Sequence, residues 1–137
     1  MQHRPRQRGQ GAIEGILVLV VLIATVLAIL DFGQVIFVHQ TLSERARAAA
    51  RYAGIHPLDA EGARNLVLYG TTVAPAPPAP GFWGMDASMV TVARVNQNTN
   101  EDAVVVTISG FRFQVFSLWI SGSARGKPIV ASAPVEI

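Results

Sequence analysis

Residues 6–33 read RQRGQGAIEGILVLVVLIATVLAILDFG, and their reading decides the fold. From Gly15 to Leu30 run sixteen uncharged residues, mostly Leu, Val and Ile, with Thr25 the one polar side chain among them. Counted outward past Glu14 and Asp31, the stretch from Gly11 to Val38 stays predominantly apolar. A helix of about 20 such residues crosses the ~30 Å hydrocarbon core of a bilayer. The β-branched richness weakens helix propensity in water, but in lipid every backbone group must bond within the segment, and a helix follows. Three cations, Arg4, Arg6 and Arg8, precede the run with no acid among them. The positive-inside rule then places the N-terminus in the cytoplasm and everything after Val38 outside. A buried core helix of a soluble protein and a cleaved secretory signal ending near Ala28 are the competing readings. Against the second, apolar character continues through Ile29, Leu30 and Phe32, where a polar cleavage region belongs.

Glu14 stands at the entrance to this run. An ionised carboxylate in hydrocarbon costs about 2.5–3.5 kcal/mol even on insertion-based scales, so Glu14 needs a partner or a function. Asp31, at the far edge, is expected at the outer interface, as a solvated or interface acid. Gly11 and Gly15 form a GxxxG pair around Glu14, a weak signal for close helix contact.

Composition bounds the rest. A chain of 137 residues, part of it in lipid, leaves a soluble remainder near the lower limit for a self-sufficient core. Its net charge of +2 comes from the N-terminal arginines; without residues 1–9, eight cations face nine acids. The basic character is therefore an address and not a nucleic-acid surface. The absence of cysteine excludes disulfides, thiolate metal sites and Cys nucleophiles.

The helix outlasts the membrane. Val38, Leu42, Ala46, Ala49 and Ala53 recur at steps of four, four, three and four, one narrow helical face. Glu44, Arg47 and Arg51 line another face at ion-pair spacing. Gly54 is expected as the C-cap, with Pro57 forbidding continuation. One helix from Gln10 to Ala53 would be about 65 Å long, half in lipid and half projecting. Its small face, Ala46, Ala48, Ala49, Ala50 and Ala53, suits close packing against another helix.

Read back from Glu14, the residue five places earlier is Gly9, preceded by Arg8. This order of basic leader, Gly, four residues, Glu and apolar helix resembles the processing site of type IV prepilins. Further on, Asp31, Phe32, Gly33, Gln40 and the run from Ala46 to Ala53 within DFGQVIFVHQTLSERARAAARYAG (31–54) resemble the TadE-like family of pseudopilins. The resemblance covers residues 8–54; one departure is Gly15, where an aromatic usually follows the Glu. It implies cleavage after Gly9 on the cytoplasmic side by a prepilin peptidase, leaving Gln10 as the mature N-terminus and Glu14 as its fifth residue. It further implies that Glu14 pairs with the new α-amino group of a neighbouring subunit, a pairing strengthened by low dielectric, although pairing within one chain is an alternative. The implied partners are the peptidase, other pilins or pseudopilins, and the inner-membrane assembly platform and ATPase of a tight-adherence (Flp) pilus.

Beyond the helix the expected fold class is α+β. Pro57 to Gly70 reads as a short helix, started by Pro57 and Asp59, with Ala60, Ala63, Leu66 and Val67 on its apolar face and Gly70 as its cap. APAPPAP (74–80) reads as an extended linker. The period then alternates: 89–95, 103–108, 111–115 and 129–135 suit strands of a small antiparallel sheet packed on the outer half of the helix. Phe82, Trp83 and Trp119 are expected in the core. The boundaries are a leader at 1–9, the pilin-like helix at 10–54, a short helix and Pro-rich loop at 55–87, and the sheet at 88–137.

Catalysis finds no support. His3, His39 and His56 show neither metal-site nor triad spacing, DFG at 31–33 lacks the other kinase signatures, and Asp59, Glu61, Glu101 and Asp102 fall at helix starts or turns, where solvated charges are ordinary. No cofactor or metal is expected. The reading is an inner-membrane, single-pass pseudopilin and not an enzyme; the alternative is a membrane-anchored or exported envelope domain that binds a ligand, and a hydrolase on the same anchor is more remote.

Overall fold

The computed structural model describes residues 7–57, 59–97, 99, 101–113 and 124–135. A single helix, α1 (Gln7–Ile55), occupies 49 residues and is about 73 Å long at 1.5 Å per residue. After it come α2 (Ala60–Tyr69), two short 3₁₀ turns (Phe82–Gly84 and Ala87–Met89), and strands β1 (Val90–Val95), β2 (Ala103–Ile108), β3 (Arg112–Phe113), β4 (Ala124–Arg125) and β5 (Ile129–Pro134). The architecture is α+β, as expected.

The two halves of α1 meet different surroundings. The large apolar side chains from Ile13 to Leu30, Leu27 apart, are 47–66% exposed, and Phe32 is 69% exposed. No part of the apolar window is buried within the chain, and the helix is long and apolar enough to cross a membrane. The outer half is the spine of the core. Val38, Leu42, Ala46, Ala49 and Ala53, the face read from sequence, are all 0–2% exposed, joined by Ala50.

That alanine-rich face is covered by the chain's own elements. Strands β2 and β5 and helix α2 pack on α1. The small side chains let the sheet approach the helix closely, so the expectation of another helix as partner is met only by α2, and most of the face is taken by strands. The sheet has the order β1-β2-β5, antiparallel throughout, with Val90↔Ile108 and Ile108↔Ile129 in register at one end and Val95↔Ala103 and Ala103↔Pro134 at the other. Along β2, Val104, Val106 and Ile108 are buried while Ala103, Val105 and Thr107 are half-buried, the period-2 signature of one face on a core. Pro134 sits on an edge strand, where its missing N–H interrupts no ladder.

Several details differ from the sequence reading. Gly54 lies inside α1 and is buried, and the helix ends one residue later. A Cβ on Gly54 would stand 2.5 Å from the Pro134 carbonyl oxygen, so the glycine is there for close approach of β5 and not to cap the helix. The helix starts at Gln7, ahead of Gly9. Helix α2 begins at Ala60 with Asp59 as N-cap, ends on Gly70 in the left-handed region, and buries Leu68 along with Ala63 and Val67, while Ala60 is exposed. The strand at 111–115 covers only Arg112–Phe113 among the described residues, and it pairs with β4, an element the sequence did not reveal. Phe82 packs against the core as expected; Trp83 is exposed; Trp119 lies outside the described residues. Asp102 is buried and ion-paired with Arg94, not a solvated turn acid.

Candidate functional site

The candidate site residues all lie on α1. Gly9 and Gln10 occupy its exposed start, and Glu14 follows one turn beyond Gln10, about 6 Å along the axis and on the same face. Asp31 lies 17 residues past Glu14, about 26 Å up the helix, close to the thickness of a bilayer's hydrocarbon. Glu14 is exposed; Asp31 is half-buried and engaged with the rest of the chain. The two acids therefore bracket the apolar run at its ends. The structure does not bring them together, and a fully helical backbone forbids it.

Within the exposed half, the glycines carry information. A Cβ added at Gly9, Gly11, Gly15 or Gly33 would meet nothing within 4 Å. A mid-helix glycine is less favourable than alanine by about 1 kcal/mol, so nothing inside this chain accounts for these four. By contrast Gly54 and Gly62, in the outer part of the molecule, are each held by a close neighbour, Pro134 and the Asp59 carboxylate respectively.

Two polar devices fasten the outer domain to α1, and a third ties β1 to the start of β2. The Asp59 carboxylate accepts the Gly62 N–H at 2.8 Å and the Tyr52 hydroxyl at 2.6 Å, tying the start of α2 to the end of α1. These donors hold the Asp59 carboxyl below its ordinary range, the Tyr52 hydroxyl first, and the same bond raises the Tyr52 phenol. Arg45 donates to the carbonyls of Val67 and Leu68 at 3.1 Å and lies 4.4 Å from the centroid of the Phe82 ring. Its cation meets the negative end of α2 and an aromatic face at once, and burial lowers its pKa. At the far end of the sheet, Arg94 Nε donates to Asp102 Oδ1 at 2.8 Å and Arg94 Nη2 pairs with Asp102 Oδ2, which raises the Arg94 pKa. Sequence reasoning missed Arg45 and the Arg94–Asp102 pair. For the first, the partners lie 22 and 23 residues away with no local spacing to announce them.

Glu44, Arg47 and Arg51 are exposed as read, and among the described residues no ion pair joins them. His56 stacks on Tyr52 with ring centroids 4.6 Å apart, and His39 is exposed on α1. Among the described residues no group of three or more His, Asp or Glu could hold a metal ion.

No curated protein and no solved structure matches the chain. One family model does, described as TadE-like protein, and it matches residues 9–51. The match opens at Gly9, takes in Glu14 and Asp31, and ends four residues short of the end of α1. Over those residues the long helix that exposes its apolar half and carries Gly9, Glu14 and Asp31 is similar to the TadE-like family, and it is long and apolar enough to cross a membrane.

Proposed function

We propose that the chain is a prepilin-like minor pseudopilin of the TadE type, processed by a prepilin peptidase and contributing to assembly of a tight-adherence pilus. The observation that carries this reading is the apolar half of α1: exposed apolar side chains, four glycines that no contact among the described residues requires, and one carboxylate at its entrance. An anchor alone needs only the first of these.

In this reading the leader remains in the cytoplasm and the outer domain stands beyond the membrane. Hydrolysis of the Gly9–Gln10 amide releases the leader as a carboxylate and leaves an amine at Gln10. The Glu14 carboxylate of one subunit then pairs with the amine of a neighbour, and low dielectric strengthens the pair while penalising a Glu14 left alone. Gly11, Gly15 and Gly33, which stay with the chain after the cut, let neighbouring helices approach. With the alanine face of the outer half already covered by the chain's own sheet, contacts between subunits fall to the exposed inner half. The peptidase, other pilins and the assembly platform and ATPase follow as partners from the family resemblance.

Substitution at Glu14 tests this reading in cells. Glu14→Ala is expected to leave cleavage largely intact and to abolish or sharply reduce pili, scored by shearing and immunoblot alongside the processed-to-unprocessed ratio. Normal piliation with a stably produced E14A chain contradicts the pairing.

A further inference from the structure

The end of the outer domain that faces the membrane carries three exposed cations and a strained, outward-facing tryptophan. Its location follows from the register of the chain. Taking Ile13 to Phe32 as the ~30 Å hydrocarbon segment, the α1 positions Val35 to Gln40 lie about 5–12 Å beyond it, at the level of the headgroup layer, itself about 5–8 Å deep. Val35, Ile36, His39 and Gln40 share a groove with Phe113 and Lys127. Phe113 lies edge-on to Phe111 with centroids 5.4 Å apart, and both line a second groove with Trp83 and Arg112. The two grooves share Phe113, which places Lys127 beside this stretch of α1 and Arg112 next to it along β3, with Trp83 on the second groove.

Two features of this end go unexplained by contacts among the described residues. Arg112 on β3 is directly opposite Arg125 on β4, and both are exposed. Like charges facing each other across a strand pair are destabilising, and the ten residues that join the two strands in sequence, 114–123, contain no acid. Among the described residues no ion pair engages Arg112, Arg125 or Lys127. Asp86, the acid nearest Trp83 in sequence, is exposed and in no ion pair among the described residues. Trp83 has φ of 57°, in the left-handed region that bulky residues avoid, and is 38% exposed. Strain of this kind persists where the surroundings or a function require it.

We propose that this end is a docking surface for anionic phospholipid: Arg112, Arg125 and Lys127 meet the phosphates of the leaflet that α1 leaves, and Trp83 lies at the headgroup level beside them. The occupant is chosen by continuity, because a helix that spans the bilayer brings its surface to these residues, and by charge complementarity. Tryptophan at the interface and basic side chains over an anionic leaflet each favour such an arrangement. Docking fixes the tilt of the outer domain on the membrane before assembly and lets the Arg112–Arg125 repulsion be relieved by a shared phosphate. The inference rests on the reading of α1 as a membrane span.

The chain has no cysteine, so single-cysteine variants can be labelled without background. The full-length chain is reconstituted in vesicles of phosphatidylcholine, with or without phosphatidylglycerol, carrying an environment-sensitive fluorophore at Val20→Cys in the span, Pro128→Cys beside Lys127, or Thr99→Cys at the far turn. Expected is a lipid-embedded probe at position 20 in both vesicles, and a probe at 128 that is quenched by headgroup-labelled lipid only when phosphatidylglycerol is present. The probe at 99 should stay in water. Arg112→Gln with Arg125→Gln should lower the docked-to-undocked ratio by about 25-fold, ~5-fold for each cation near an anionic surface, and should raise or preserve thermal stability since a repulsion is removed. A probe at 128 that stays in water, or that responds equally without phosphatidylglycerol or in the double variant, while the probe at 20 is in lipid, overturns the docking alone. A probe at 20 that is itself in water overturns the span and the docking with it.

Discussion

Gly54 shows how one residue type serves two physical purposes. Glycine followed shortly by proline is a helix stop in sequence, and the stop is nearly where it was read, at Ile55. What holds the glycine is the Pro134 carbonyl, 80 residues later, and no local pattern announces a contact of that range. The two roles predict opposite results. As an unconstrained helix position, Gly54→Ala would gain up to ~1 kcal/mol in propensity. With backbone of β5 in the way, the substitution is expected to destabilise the outer domain by about 1–2 kcal/mol, the usual scale of overpacking less that gain, read as a lower denaturant midpoint of the chain in detergent micelles. Asp59 was legible as a helix start, because aspartate preceding an apolar-periodic segment is a capping signal; its second bond, from Tyr52, was not. Since its folded pKa lies below the unfolded value near 4, its contribution is present above that value and is lost as pH falls through the folded one. Unfolding midpoints measured from pH 7 downward should therefore drop more in the parent chain than in Asp59→Asn, the two curves converging in acid.

At the scale of elements, periodicity carried most of the information. The helix face at steps of four, four, three and four became the buried spine, and β2 matches the alternating stretch 103–108 to the residue. Both patterns are read without knowing the partner, because burial on one face imposes the period whatever covers it. The identity of the cover was not legible: an alanine-rich face fits a helix or a sheet, and here it takes both. Strand β4, two residues long, is below the length at which alternation can be recognised. Leu42 is the test of the spine. It is a fully buried α1 side chain in the core, so Leu42→Ala should cost about 2–5 kcal/mol in the unfolding of the outer domain while leaving membrane insertion unchanged, as followed by tryptophan fluorescence and by vesicle flotation.

The whole molecule is divided between two solvents along one helix. Its inner half exposes a long run of apolar side chains, and the alanine-rich face of its outer half is covered by the sheet and α2. Fold and anchor could be read from sequence because each follows from hydropathy and period. Of the candidate site, Gly9, Glu14 and Asp31 are picked out in sequence by their spacing from the apolar run, whereas the facing of Arg112 and Arg125 is not, because they become neighbours only once β3 and β4 pair. In the proposed reading the work of assembly falls to the inner half, beginning with a cut that creates its N-terminus. The most direct measurement is the mature N-terminus of the chain co-produced with a prepilin peptidase, read by mass spectrometry so that a cyclised Gln10 is also seen. A chain starting at Gln10, reverting to the uncut form when Gly9 is replaced, is the predicted result; a chain that keeps Met1 beside an active peptidase, or that begins near Ile29, contradicts it.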